Sequence, residues 1–212
     1  MTTEEISNKF DTIVQKAVGG FIMDEYKKSL YLSEAQLVFV RATLKAYEYT
    51  DELRHLIGPL LVEVSLGSTD FTQTPKYYST PIDNNVIMEV VFEEINDEVP
   101  TIPLDYNDIH YTLQNPFRMP DQNIGYRVTF SEEFRIYTNQ TLTKYLYIYC
   151  QYPNPIVLED FSLLGLEISG VSVETTSQLS DDSVDTIINM ATTKAVNDIR
   201  GILAPPTDNK KD

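Results

Sequence analysis

Tryptophan is absent from this 212-residue chain, cysteine occurs once and histidine twice. A single cysteine, Cys150, excludes an intrachain disulfide and any cysteine-cluster zinc site. His55 and His110 stand apart with no partner at metal-ligand spacing, so each reads as a structural or surface residue. No apolar run approaches the ~18–20 residues that cross a bilayer. The start, Met1-Thr2-Thr3-Glu4-Glu5-Ile6, lacks the basic opening and apolar centre of a signal peptide, so a protein made and used in a cytoplasm is expected. A Gly-x-Ser-x-Gly elbow, a phosphate-binding glycine-rich loop and a His-Glu-x-x-His motif are all missing. Positive charge is scarce too: 16 Lys and Arg face 32 Asp and Glu, for a formal net charge of −16. That balance argues against a nucleic-acid binder, which needs cations to displace phosphate counterions. It suits a soluble acidic protein, or a surface that must not adhere to DNA.

What the chain does have is tyrosine, 14 copies of it, a residue whose apolar ring and polar tip suit half-buried interfaces. It also has clear helical rhythm at both ends. Ile6, Phe10, Ile13, Val14 and Ala17 share one face of a helix over residues 3–18, which Gly19-Gly20 stops. In the run Asp24 to Gln36, Ser33 and Gln36 have the spacing of a capping box. They predict a second helix over 33–47, with Leu37, Val40, Leu44 and Tyr47 as its stripe. Thr50 followed by Asp51 and Glu52 marks another helix start, ending near Gly58-Pro59. At the far end Ser180 caps a helix whose first turn holds Asp181 and Asp182. Its buried stripe is Val184, Ile187, Ile188, Ala191, Ala195 and Ile199, with Gly201 closing it.

Between these ends the period changes to two. Strands are expected at 60–66, 86–95, 126–130, 134–137 and 144–152, with a shorter one at 156–158. Residues 67–85 read as a loop or hairpin tip, 97–103 as a turn, and 104–114 as a short helix ended by Asn115-Pro116. The strand at 144–152 sets Tyr145, Tyr147 and Tyr149 on one face and Leu146, Ile148 and Cys150 on the other. The aliphatic face would pack on the core, leaving the tyrosines for a neighbour. The whole is α+β: N-terminal helices and a C-terminal helix packed on a mainly antiparallel β-sheet. It is read as one domain over 1–203, with a helical part at 1–59, a β-rich part at 60–175 and the C-terminal helix at 180–200. Residues 204–212, with Pro205-Pro206 and charges, form a mobile tail.

Little of this is chemistry. Cys150, mid-strand and without an adjacent base, is a small buried apolar group rather than a nucleophile. Glu93-Glu94 face opposite ways along a strand, Glu132-Glu133 sits in a turn and Asp181-Asp182 is explained by helix capping. None makes a converging pair of the kind a glycosidase needs. No catalytic, cofactor-binding or metal-binding residue is expected. Asn115-Pro116-Phe117-Arg118-Met119-Pro120 is different. Two prolines stiffen a loop that either buries Phe117 and Met119 in its own core or presents them, with Arg118, as a contact.

Five blocks, in order, carry a resemblance. They are Asp24 to Gln36; Arg54-His55-Leu56-Ile57-Gly58-Pro59-Leu60; Leu113 to Pro120; Tyr149-Cys150-Gln151-Tyr152-Pro153-Asn154-Pro155-Ile156-Val157-Leu158; and Asp181 to Ile199. Together they resemble the ring proteins of crAss-like tailed phages. Residues 68–85 and the tail match nothing in that pattern. The resemblance implies a virion structural protein without enzymatic activity or cofactor, made in the host cytoplasm and built into the neck or tail. It implies a closed ring of about twelve copies below the portal. Its partners would be the portal and other ring proteins, with DNA passing through unbound and no membrane involved. Candidate interface residues are then Asn115, Pro116, Phe117, Arg118, Met119, Tyr145, Tyr147 and Tyr149. Candidate bore-lining residues are Glu93, Glu94, Asp97 and Glu98. A tail-associated module that holds a host glycan or receptor with exposed tyrosines is the alternative.

Overall fold

The computed structural model describes residues 1–46, 55–83 and 86–203. The class is α+β: helices at both ends of the chain and a mostly antiparallel eight-stranded sheet between them. The helices and strands fall into two compact units, one of residues 1–60 and 153–212, the other of 61–152.

In the first unit, helices α1 (Thr3–Val18), α2 (Glu25–Ala46) and α4 (Asp181–Leu203) pack on one another. The stripe expected on α1 is buried at Ile6, Phe10 and Val14, and all six residues expected on α4 are buried. Each large aliphatic or aromatic side chain so placed contributes about 1.5–3 kcal/mol. A capping box is present, but at Thr2 and Glu5: the Thr2 hydroxyl accepts from the Glu5 amide while the Glu5 carboxylate accepts from the Thr2 amide. Helix α2 starts eight residues before Ser33. Its cap is Asp24, whose carboxylate accepts from the Lys27 amide at 2.9 Å. That bond holds the Asp24 carboxyl below its usual range.

Ser33 and Gln36, expected to begin α2, lie inside it and do other work. The Ser33 hydroxyl accepts from the Ile156 amide and donates to the Ile156 carbonyl. Ser29 accepts from the Leu158 amide, and the Gln36 side chain donates to the Asn154 carbonyl. Positions 29, 33 and 36 share one helical face. This polar stripe binds the backbone of 154–158 directly. It also explains why 156–158 forms no strand of a sheet and keeps only a bridge, Val157 to Thr175.

One buried cation ties α1 to α2. Lys28, 1% exposed, meets Asp11 at 2.6 Å, Glu25 at 2.8 Å and the Ser7 hydroxyl at 3.0 Å. Burial disfavours its charge, but the two carboxylates outweigh that and hold its pKa above the usual 10.5. Helix α4 runs through Gly201 to Leu203 instead of stopping at it. The helix start expected at Thr50, the end of α2 at Tyr47 and the tail 204–212 lie outside the described residues.

The second unit is the sheet, in the order β1-β8-β4-β5-β6-β7-β3-β2. Its strands are β1 (Leu61–Gly67), β2 (Thr72–Gln73), β3 (Tyr78–Pro81), β4 (Ile87–Ile95), β5 (Val99–Pro103), β6 (Gly125–Thr129), β7 (Glu133–Tyr137) and β8 (Lys144–Gln151). All neighbours are antiparallel except β5 and β6. Two segments read as loop or turn are strands: 67–85 contains β2 and β3, and 97–103 contains β5. Their prolines hid them, since Pro100 and Pro103 lack the amide of a central strand. The structure accommodates both because β5 changes partner midway. Val99 and Pro100 pair with β4, and Thr101, Ile102 and Pro103 pair with β6. The turn from β4 to β5 is made by Asn96 and Asp97, both left-handed (φ 53° and 64°), where Asn and Asp are tolerated best. The Asn96 side chain accepts from the Thr143 and Lys144 amides, fixing the turn against the start of β8.

Where β5 hands over to β6 the packing is close. A Cβ on Gly125 would lie 2.5 Å from the tip of buried Ile95. Inside the sheet, Ile95, Val99, Phe134, Ile136, Leu142, Tyr145 and Tyr147 form the core. Helix α3 (Tyr106–Gln114) covers a second cluster of Ile109, Tyr126, Val128 and Tyr137.

Candidate assembly surface

The loop after α3 presents its side chains to solvent. Asn115 accepts from the Phe117 amide with its side chain, and its carbonyl accepts from the Arg118 amide at 2.9 Å. These bonds make a tight turn at Asn115 and Pro116 without using any side chain beyond Asn115. Phe117 is 95% exposed and Met119 49%, so neither is buried in the core and the loop presents both to solvent. Tyr106 and Tyr111 of α3 add exposed aromatic surface in the same unit.

A second protrusion was not foreseen. In the first unit, Phe161 is buried and meets Tyr26 edge-to-face at 5.4 Å, and Val157 and Ile168 are buried beside it. The chain between Phe161 and Ile168 is tied at both ends, Phe161 amide to Ser172 carbonyl and Ile168 amide to Val171 carbonyl. Asp160 accepts from the Ser162 amide, and Gly165, left-handed at φ 64°, closes the turn. Leu163 and Leu164 at its tip are 98% and 70% exposed. A Leu-Leu pair followed by Gly, behind an aromatic anchor, was the available signal.

The tyrosine strand has the opposite orientation from that expected. Tyr145 and Tyr147 are buried in the core of the sheet and Tyr149 is half-buried against it, while Leu146 and Ile148 are half-exposed on the other face. Tyr145 stacks on Tyr147 at 5.6 Å and Tyr147 meets Phe134 edge-to-face at 5.2 Å. Tyr145 lies beside an internal charge pair. Burial foremost, and then the Glu93 charge, push its phenol well above 10. The solvent-facing tyrosine row that a glycan-binding module would use is absent from this strand.

That charge pair accounts for Glu93 as well. Glu93 is buried, ion-paired with Arg127 and bonded to the Thr101 hydroxyl. The Arg127 guanidinium also bonds Thr129 and stands 5.1 Å from the Phe134 ring centroid. Burial raises the Glu93 carboxyl above its usual 4.5 against the pull of Arg127. Glu93 thus cannot line a bore: it closes the junction of β4, β5 and β6 from inside. Glu94 is half-buried on the opposite face, and Asp97 and Glu98 are exposed, Asp97 pairing with Lys144. The expected interface and bore residues do not converge into one site.

Among the described residues, no group of three or more His, Cys, Asp or Glu is placed to hold a metal ion. No helix among them is long and apolar enough to cross a membrane.

The sequence profile of the phage tail ring protein 3/4 family matches residues 1–200. The chain belongs to that family. It is 28% identical over 204 residues to "Ring protein 3" of Bacteroides phage crAss001, covering 85% of this chain and 88% of that one. It is 22% identical over 215 residues to "Ring protein 4/5" of the same phage, covering 89% and 87%. A ring protein of crAss-like phages is a structural part of the virion, and its relatives bear structural names, not enzyme names.

Proposed function

We propose that this ring protein is the protomer of a closed ring, about twelve copies round, in the connector that joins head to tail below the portal, with no catalytic activity of its own. The observation that carries the reading is the family match across residues 1–200. Two features support it. The exposed apolar tips at Phe117 and at Leu163-Leu164 offer aromatic and aliphatic surface that contacts between copies would cover. The acid excess suits a wall past which DNA slides without binding, because each exposed Lys or Arg would add a salt-dependent contact. Of the expected cluster, Glu98 is exposed without an ion pair among the described residues, Asp97 is exposed and paired with Lys144, and both can face such a bore. Synthesis in the host cytoplasm, contact with the portal and contact with other ring proteins belong to the same reading. Cryo-microscopy of the virion tests it: a symmetric ring with an acidic bore is expected. A bore lined by Lys and Arg would refute the conduit, and absence of the chain from purified particles would refute the ring.

A further inference from the structure

The two protrusions lie in different units, and one of them flanks a cavity. Beside α3 an open cavity of about 320 Å³ has Leu113, Met119 and Pro120 in its lining together with Lys76, His110 and Asn139. A closed cavity of about 150 Å³ already holds a benzene ring, so branched aliphatic tips fit here. Charge sets this cavity apart from the rest of its unit. Residues 61–152 hold five basic side chains: Lys76, Arg118, Arg127, Arg135 and Lys144. Arg127 pairs with Glu93, Arg135 with Glu133 and Lys144 with Asp97. Lys76 and Arg118 have no ion pair among the described residues, and both are exposed, one at the cavity and one next to Met119 of its wall.

The Leu163-Leu164 tip has the converse charge. Glu159, Asp160 and Glu167 flank it, all exposed and none in an ion pair among the described residues. An aliphatic tip flanked by three exposed acids, and a cavity with Lys76 in its lining and Arg118 next to Met119 of its wall, on one chain that carries a net charge of −16, are complementary in charge.

We infer that the Leu163-Leu164 tip of one copy inserts into the cavity beside α3 of the next copy. Tip and socket are different surfaces, so the contact is heterologous and repeats from copy to copy, the interface type that can close into a ring. Leu163 and Leu164 are the buried anchors, and the flanking acids and bases set orientation and speed encounter more than they add affinity. The contact deepens the ring reading and rests on it.

Two single-substitution variants of the full chain, Leu163→Cys and Asn139→Cys, test it, with native Cys150 left buried. Oxidised as a mixture they should form a mixed disulfide dimer that neither forms alone. A chain carrying both substitutions should form a ladder. Lys76→Glu on the socket copy should lower the mixed-dimer yield several-fold, and Glu167→Lys on the tip copy, which leaves the Asp160–Ser162 turn intact, should restore it. A mixture that gives only the products of each variant alone overturns the contact, as does a yield indifferent to these charges. Sedimentation of the unaltered chain reads the ring separately. Closed assemblies without the mixed disulfide refute this contact and leave the ring standing. A ladder that never closes supports the contact and refutes the ring.

Discussion

Replacing Ser33 by alanine should cost more than replacing the residue that caps its helix. The Ser33 hydroxyl serves both the amide and the carbonyl of Ile156, at 3.0 and 3.1 Å, and Ile156 is fully buried. Alanine leaves two buried backbone groups without partners, at about 1–3 kcal/mol for each such group, and so about 2–4 kcal/mol together after local relaxation. For a chain of this size that lowers the midpoint of thermal unfolding by on the order of 10 °C. Asp24→Ala removes one N-cap bond at an exposed helix start and should cost only about 1 kcal/mol. Urea unfolding followed by far-ultraviolet circular dichroism compares the two, and an unchanged slope shows that stability alone has moved. If Ser33 were the cap, its loss would cost no more than an ordinary cap and Asp24→Ala would be silent. A Ser33→Ala effect at or below that of Asp24→Ala refutes the stitching of 154–158 to α2.

Lys28→Met should destabilise by about 2–3 kcal/mol, less than for a wholly buried pair because Asp11 and Glu25 keep partial solvent contact. The folded pKa of Lys28 is raised, so its contribution is complete below pH 10.5 and is lost as pH rises through the folded value; the wild-type advantage over Lys28→Met should therefore shrink in alkaline titration and persist at neutral pH. Cys150 is fully buried and its thiol is pushed up to about 11, chiefly by burial. A maleimide at neutral pH should label it only after unfolding, and rapid labelling of the native chain would contradict its burial. Arg127→Met should cost about 3–5 kcal/mol by leaving Glu93 buried and unpaired, and Glu93→Leu added to it should recover much of that loss. Additive single effects in a double-mutant cycle would show that the two residues do not act as a pair.

Helix faces were legible because their period depends on local spacing alone. The α4 stripe, the Ile6, Phe10 and Val14 part of the α1 stripe and the β6–β7 hairpin can be read from apolar rhythm, whereas Ile13 and Ala17, expected on the same α1 face, are exposed. The start of α2 was misread because Ser33 and Gln36 have the chemistry of caps and the spacing of a helical face at once. Only the position of 154–158, over a hundred residues away in sequence, decides which use prevails. Strands β3 and β5 were missed for a related reason: proline forbids a central ladder position, but β5 changes partner along its length, and no local pattern reports that.

The candidate site follows the same division. Exposure of Phe117 could be anticipated because Asn-Pro and a following turn determine the loop without help from the core. The burial of Tyr145 and Glu93 could not, because alternation along β8 and β4 shows that two faces differ but not which is the inside of a curled sheet. A strand with tyrosines on one face and aliphatics on the other satisfies either choice by area alone. Arg127 breaks the tie: a guanidinium placed inside the sheet needs a carboxylate next to it, and Glu93 supplies one across from Tyr147. The face that carries Glu93 and the tyrosines must then point inward together. The charge pair between strands that are distant in sequence is thus consistent with the inward face set by the core of Ile95, Phe134, Ile136, Tyr145 and Tyr147, and it leaves Lys76 and Arg118 as the cations of the unit without an ion pair among the described residues.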